Sequence, residues 1–148
     1  MSVVRSSVVI AAPPERVWEI VMDPARLPEW VTIHRTVRDV TPGPAHEGSR
    51  MEQVLHLRGA DIRVRWLLVE CREPTFARWE GHGPARSQAL IEYRLARTPE
   101  GTRFDYENDF QPPFGAVGAI ASRTVMGHVP QREADRSLAA LRALAERV

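Results

Sequence analysis

A few polar side chains occur at alternate positions of stretches that are otherwise apolar, and these are the candidates for chemistry. Gln53, Tyr93, Tyr106 and Asn108 each share a predicted strand face with hydrophobic residues. A ligand cavity is usually an apolar shell with a few placed amide, phenol or hydroxyl groups that donate or accept hydrogen bonds. Burying Gln53 or Asn108 without a partner would cost about 1–3 kcal/mol each. We therefore expect a ligand, a water molecule or a neighbouring side chain to satisfy them.

The same residues also have purely structural interpretations. Asn108, the only Asn of the chain, is compatible with a strand irregularity or a contact with buried water. The two Tyr are compatible with core aromatics whose hydroxyls reach the rim. Among the four Trp, Trp18 is expected to be ordinary packing, whereas Trp30 and Trp66 fit equally well as packing or as an aromatic wall around a flat ligand.

The sequence shows none of the familiar catalytic or metal-binding patterns. The five His, at positions 34, 46, 56, 82 and 128, have no paired helical spacing, and only His34 and His128 are kept as candidates for the cavity. The lone Cys71 excludes a disulfide within the chain and a multi-cysteine zinc site. All 20 basic residues are Arg, which excludes Schiff-base lysine chemistry. No carboxylate pair, phosphate loop or dinucleotide motif is visible, so catalytic residues stay unknown and we predict no metal and no cofactor.

Composition predicts an ordinary soluble chain with a single domain over residues 1–148. Hydrophobic residues make up 43% and charged residues 26%, and a formal net charge of +1 offers no basic excess for nucleic-acid binding. No apolar run approaches the roughly 18 residues of a membrane span, and the N-terminal apolar stretch is too short for a signal peptide. We expect a cytoplasmic monomer or homodimer with no integral membrane segment.

Apolar and polar residues alternate through most of the chain, which predicts short strands joined by tight turns and therefore antiparallel neighbours. The expected strands span residues 3–11, 32–41, 49–58, 62–72, 76–81, 87–97 and 102–110. Two turns are expected at Gly59-Ala60-Asp61 and Pro99-Glu100-Gly101. Two short helices should follow the first strand, from Pro14 to Met22 and from Pro24 to about Pro28, because Pro is favoured in the first helical turn.

The last thirty residues predict one long helix. An apolar stripe recurs there at steps of four and three, formed by Ala134, Leu138, Leu141, Ala145 and Val148. The small apolar segment Gly115–Gly127 is expected to be the first part of this helix, with a kink or break at Pro130. A helix that is apolar on one side must bury that side, and the sheet is the large surface available. The sequence thus predicts an α+β fold in which a seven-stranded curved antiparallel sheet wraps around a long C-terminal helix.

Several local motifs accompany this order of elements. They are the P-x-x-V-W start of the first helix (Pro14, Val17, Trp18), Asp23-Pro24, Trp30, Gly48-Ser49-Arg50, the passage VECREPTFARWEG and the terminal LAALRALAE. Together they resemble the START-like superfamily, also called SRPBCC, which includes polyketide cyclase/dehydrase-type and coenzyme-Q-binding proteins. The resemblance covers the whole chain and implies a helix-grip fold with a largely apolar cavity between the sheet and the C-terminal helix. Members bind lipids, quinones, hormones or polyketides, and only some are enzymes, so the fold alone does not choose a function.

Three functions are compatible with the sequence. The first is binding, for transport or sensing, of a small hydrophobic molecule, and the missing catalytic constellation favours it. The second is a cyclase/aromatase-like enzyme in which the cavity holds a reactive chain and one Tyr, His or Arg moves protons. The third is a protein-interaction module. For binding, the predicted cavity lining is Trp30, Gln53, Leu55, Trp66, Tyr93, Tyr106, Asn108, Met126 and Leu138, and tight mutual packing of these residues without a void would contradict it.

Overall fold

The computed structural model describes residues 2–111 and 129–147. Its seven strands form one antiparallel sheet in the order β1-β7-β6-β5-β4-β3-β2. The strands are β1 (Ser2–Ile10), β2 (His34–Arg38), β3 (Arg50–Leu57), β4 (Ala60–Arg72), β5 (Phe76–His82), β6 (Gln88–Thr98) and β7 (Gly101–Gln111). The helices are α1 (Pro14–Val21), α2 (Leu27–Trp30) and α3 (Val129–Ala145), with a 3-10 turn at Pro24–Arg26. The predicted α+β helix-grip fold is therefore confirmed.

The hairpins differ from the sequence-based prediction at their turns. The β3–β4 turn is formed by Arg58 and Gly59, whose φ angles are 51° and 78°, and Leu57 pairs with Ala60. The predicted turn at Gly59-Ala60-Asp61 is therefore wrong, because Ala60 is already paired in the ladder. A two-residue turn with positive φ at both positions matches the right-handed twist of the two strands. The β6–β7 turn is likewise shorter than predicted, because Thr98 pairs with Gly101 and leaves only Pro99 and Glu100 unpaired.

Strand β2 is shorter than the predicted span of 32–41. It begins at His34, and it ends at Arg38, next to Asp39, whose φ of 54° is incompatible with an extended strand. Because β2 is the last strand in the sheet order, its outer backbone edge is not paired within the sheet. A short edge strand is one way in which a sheet limits pairing with other chains.

Helix α1 and the turn after it form as expected from their proline and aspartate positions. Pro14 occupies the start of α1, and the buried Val17 and Ile20 lie on the face that points into the core. Asp23 accepts a hydrogen bond from the backbone N–H of Ala25 at 3.0 Å, which caps the 3-10 turn. The second helix extends to Trp30, beyond the predicted end at Pro28.

Helix α3 buries Leu138, Leu141 and Ala145 of the predicted apolar stripe, each at most 2% exposed, against the sheet and the N-terminal helices. Ala134 is only partly buried, Val148 lies outside the described residues, and Leu144, which was not predicted as part of the stripe, is 5% exposed. Its C-terminal end is fastened by polar contacts, since Arg16 donates to the Ala145 carbonyl oxygen at 2.9 Å. The segment Gly115–Gly127, predicted as the first part of this helix, lies outside the described residues, so the kink expected at Pro130 stays a prediction.

The core is densely packed at one end of the sheet. Ile10, Val17, Phe104 and Leu141 have no exposed surface, and they join the start of the sheet to α1 and α3. Thr102 is also fully buried there, and its hydroxyl donates to the Ala12 carbonyl oxygen at 2.7 Å.

In the described parts of the chain, no helix is both long and apolar enough to cross a membrane.

Candidate functional site

A cavity of about 690 Å³ lies between the concave face of the sheet and helices α2 and α3. Alternate residues of β3 to β7 form its floor, because side chains two apart on a strand share a face. Pockets that hold small molecules usually measure about 300–1,000 Å³ and have mainly hydrophobic and aromatic walls. The size and composition of this cavity therefore suit a small hydrophobic ligand.

The predicted lining residues are brought together in this cavity. Its wall includes Trp30, Gln53, Leu55, Trp66, Tyr93, Tyr106, Asn108 and Leu138. Met126, the remaining predicted residue, lies outside the described residues, as does His128. These residues border a void, although several of them also pack on one another, and their contact with a ligand stays a prediction.

Strand β7 orders its side chains from the packed end of the core to the open end. Phe104 is fully buried, and Tyr106, Asn108 and Phe110 follow at alternate positions and line the cavity. Tyr106 is paired with Tyr93 on β6, which places both phenol rings side by side on the same face of the sheet. The alternation recognised in the sequence from 102 to 110 thus becomes one wall of the cavity.

An aromatic cluster forms the inner end of the cavity. The Trp30 ring meets the Tyr93 ring at a centroid distance of 6.1 Å with an interplanar angle of 64°, and the Phe104 ring at 6.5 Å and 90°. The Tyr93 and Tyr106 rings are 6.2 Å apart. The two edge-to-face pairs of Trp30 are each worth about 0.5–1.5 kcal/mol beyond the area they bury. Trp30 thus packs in the core and also borders the cavity, while its contact with a flat ligand stays a prediction. Trp18 is buried in the core and is not among the described lining residues.

Both polar atoms of the Gln53 side-chain amide have a hydrogen-bond partner, and the donor and acceptor of each bond can be assigned. The Trp66 indole N–H donates to Gln53 Oε1 at 2.9 Å, and Gln53 Nε2 lies 2.9 Å from His34 Nδ1. An indole can only donate, so the Gln53 oxygen must face Trp66 and its amide nitrogen must donate to His34. His34 Nδ1 is consequently unprotonated, and burial lowers the pKa of the His34 imidazole. His34 contacts the wall through Gln53 but is not itself one of the described lining residues.

Two polar atoms of lining residues remain without partners. Trp30 Nε1 and Asn108 Oδ1 are buried, and neither has a hydrogen-bond partner among the described residues. The first can only donate and the second can only accept a hydrogen bond. Each unsatisfied group lowers the stability of the folded, ligand-free protein by about 1–3 kcal/mol.

The two phenols in the wall are neutral around pH 7. Burial raises the pKa of Tyr106 to about 12, although a hydrogen bond with Asn108 acts in the opposite direction. Burial also raises the pKa of Tyr93, and the neighbouring Tyr106 adds to the shift. A phenolate is disfavoured here because the apolar wall does not solvate the charge. Both hydroxyls thus keep the proton that they can donate.

Charge is nearly absent from the described wall. Among the described lining residues, only Glu133 on α3 carries a formal charge at neutral pH, and none of them is an Arg. Glu133 accepts a hydrogen bond from the Thr32 hydroxyl at 2.6 Å and pairs with Arg136 at 3.5 Å. Ser137, one turn further on, accepts from the Thr32 backbone N–H at 3.1 Å. These contacts join the loop after α2 to α3 at the cavity.

Several lining residues were not predicted from the sequence. They include Met22, Ile62, Val64, Trp79, Glu133 and Ser137. Trp79 could have been found, because it alternates with Ala77 and Gly81 on the same strand. Glu133 and Ser137 lack such a signal, since their place depends on how α3 meets the loop at Thr32. Within residues 2–111 and 129–147, no three His, Cys, Asp or Glu side chains converge as a metal site would require.

A curled seven-stranded sheet that encloses an apolar cavity against a C-terminal helix defines the helix-grip class of folds. The sequence model of a protein family described as polyketide cyclase/dehydrase and lipid transport matches residues 1–146. The chain therefore belongs to this family. The resemblance to the START-like superfamily is thereby confirmed.

Individual relatives are distant in sequence and similar in length. Toxin Rv0910 of Mycobacterium tuberculosis is 23% identical over 131 residues, which cover 87% of this chain and 91% of that protein. The uncharacterized protein Rv1546 of the same organism is 25% identical, with 87% and 92% covered. The crystal structure of TTHA0849 from Thermus thermophilus superposes with a TM-score of 0.80 at 19% identity over 97% of both chains. Protein CV1439 from Chromobacterium violaceum gives 0.75 at 20% identity over 100% of both chains, and these structures support the fold alone.

Proposed function

We propose that the protein binds a small hydrophobic molecule, such as a lipid, quinone or polyketide, as a carrier or sensor. The observation that carries this proposal is the cavity of about 690 Å³ with its apolar and aromatic wall. An unfilled apolar cavity is costly, because the atoms around it lose packing contacts. A chain selected for folding alone would be expected to close such a space.

The family and the charge balance support the same proposal. The family description joins cyclases and dehydrases with lipid transport, and all of these handle hydrophobic molecules. The net charge of +1 offers no electrostatic basis for binding nucleic acid. The proposal includes a single domain over residues 1–148, a cytoplasmic location and a monomeric or homodimeric state.

A second candidate is a cyclase/aromatase-like enzyme that uses the same cavity. The observation in its favour is the pair of buried phenols, Tyr93 and Tyr106, with rings 6.2 Å apart in an otherwise apolar wall. Since both stay protonated, they suit the role of proton donor or hydrogen-bond donor to a substrate carbonyl, and not that of general base. The third interpretation, an interaction module with a closed interior, loses support because the described residues border a cavity.

The test is mass spectrometry of an organic extract from the natively purified protein. We expect a stoichiometric hydrophobic molecule, and we expect Leu55→Trp to lose it by filling the cavity. The matched control is Val54→Trp, which adds the same ring to the opposite face of β3 and should retain the molecule. If the identified molecule changes chemically on incubation, the enzyme candidate replaces the carrier. If nothing is extracted and uncharged aromatic probes do not bind either, the proposal is wrong.

A further inference from the structure

The unsatisfied hydrogen-bonding capacity of the cavity lies on one wall. On the β3–β4 side, Gln53 and Trp66 satisfy each other and His34. On the α2–β7 side, Trp30 Nε1 and Asn108 Oδ1 are buried without a partner among the described residues. A ligand that occupies the cavity therefore gains most by placing its polar group on the α2–β7 side.

The two unsatisfied atoms belong to opposite ends of one row of side chains. The rings of Trp30, Tyr93 and Tyr106 follow one another with centroid distances of 6.1 and 6.2 Å. Asn108 is the next residue on the same face of β7 and lies nearer the open end than Tyr106. A flat apolar molecule lying along this row would bring its outer polar group to Asn108.

The chemistry of Asn108 determines which polar group fits. The Asn108 amide takes part in a hydrogen bond with Tyr106, but its side-chain oxygen has no partner among the described residues, so the ligand must offer a donor to that oxygen. A hydroxyl group offers one at little desolvation cost, whereas a carboxylate offers only acceptor oxygens and would face Oδ1 with a charge of the same sign. The described wall holds no Arg to pair with a carboxylate, and Glu133 would repel it. An unpaired charge in such a site is strongly disfavoured.

We propose that the cavity selects an uncharged hydrophobic molecule whose hydroxyl group donates a hydrogen bond to Asn108, and that it rejects carboxylates of the same shape. This inference rests on the proposed function, because it names the ligand class for the same cavity. Asn108 is then the residue that determines specificity, and the apolar and aromatic wall supplies most of the affinity.

The test compares four anthracene probes of similar shape by fluorescence titration of the full chain at pH 7.5. They are 9-anthracenemethanol, 9-ethylanthracene, 9-(methoxymethyl)anthracene and anthracene-9-carboxylate. We expect the alcohol to bind about threefold to tenfold more tightly than the ethyl compound, the gain typical of one net hydrogen bond. The ether offers no donor to Asn108 Oδ1 and should therefore bind more weakly than the alcohol, and the carboxylate should bind at least about tenfold more weakly than the ethyl compound.

Variants separate the role of Asn108 from the shape of the cavity. Asn108→Leu should reduce the alcohol-to-ethyl ratio to about one, because the acceptor that distinguishes the two probes is gone. Ile91→Val is the matched control, because Ile91 is paired with Asn108 and lines the same wall without a polar group. It should shift the affinities for both probes together and preserve their ratio.

The outcomes distinguish this inference from the function on which it rests. If no probe binds to the wild-type chain, the proposed function fails and the inference fails with it. If the ethyl compound binds but the alcohol has no advantage, or the ether or the carboxylate matches the alcohol, only the inference is overturned. The wild-type titrations decide this even when the Asn108→Leu variant does not fold.

Discussion

Gly81 faces the Trp66 indole ring across the β4–β5 ladder, and a Cβ at position 81 would lie 2.6 Å from Trp66 Cζ3. On its other side, the same indole donates its N–H to Gln53. The Trp66 ring therefore packs against the backbone of Gly81 on one side and is fixed by one hydrogen bond on the other. The missing side chain at Gly81 thus sets how far Trp66 extends into the cavity.

Replacement of Gly81 by Ala should displace the Trp66 ring. The added methyl group overlaps ring atoms, and overpacking of this kind typically costs about 1–3 kcal/mol. We expect a lower urea midpoint and a changed tryptophan emission spectrum. In a Trp66→Leu background, the same Gly81→Ala change should cost much less, since the overlapping ring is gone. Additive costs in this double-mutant cycle would show that the strain does not arise from Trp66.

The chain of bonds from Trp66 through Gln53 to His34 predicts a pH dependence of stability. Burial lowers the pKa of His34, and a proton on Nδ1 would also remove the acceptor that Gln53 uses. Below the usual imidazole pKa of about 6.5, His34 therefore binds a proton in the unfolded chain that it does not bind in the native chain. Stability is fully present above that pH, and it falls as the pH drops from there through the lowered native pKa.

Urea unfolding between pH 8 and pH 5 measures this effect. His34→Phe should reduce the slope of stability against pH in this window, while the other four His contribute equally to both chains. The lowered pKa values of carboxyl groups such as Asp61 and Glu92 affect both chains alike, so their contribution cancels in the difference between the two slopes. An unchanged slope in the variant would mean that His34 is as easily protonated in the native chain as in the unfolded one.

Sequence patterns predicted the cavity wall best where strand alternation is strict. Tyr106 and Asn108 were identified because residues 102–110 alternate without interruption, and the structure places both in the wall. The turn at Arg58 was missed, since a positive φ at a non-glycine residue leaves little trace in sequence. Ser137 was missed for a different reason. Its partner Thr32 is 105 positions away, and such a contact depends on tertiary packing that local periodicity does not encode.

On the convex face of the sheet, Glu92 should contribute to stability through two arginines. Its side chain is only 13% exposed and pairs with Arg78 at 2.6 Å and Arg94 at 3.0 Å. Burial acts to raise the pKa of Glu92, but the hydrogen bonds and charges of both arginines outweigh it, so the pKa is lowered. Glu92→Gln should cost about 1–2 kcal/mol, because two charge-assisted bonds are weakened.

The control for this change is Glu15→Gln. Glu15 pairs with Arg97 at 2.8 Å, but its side chain is 55% exposed, and exposed pairs contribute about 0–1 kcal/mol. Both variants lose one negative charge, so the difference between them isolates the effect of burial. Equal losses in urea unfolding would contradict the assignment of a structural role to Glu92.

Two leucines one turn apart on α3 should respond differently to truncation. Leu141 is fully buried in the packed end of the core, whereas Leu138 lines the cavity. Leu141→Ala opens a new void and should cost about 3–5 kcal/mol. Leu138 is itself only 2% exposed, but its truncation enlarges a space that exists already instead of opening a separate void, so we expect a smaller cost of about 2–3 kcal/mol. Leu138→Ala should also change the affinity for 9-ethylanthracene, whereas Leu141→Ala should leave it unchanged in the folded protein. Equal costs with equal affinities would mean that Leu138 is packed as tightly as Leu141, which is incompatible with a cavity against α3.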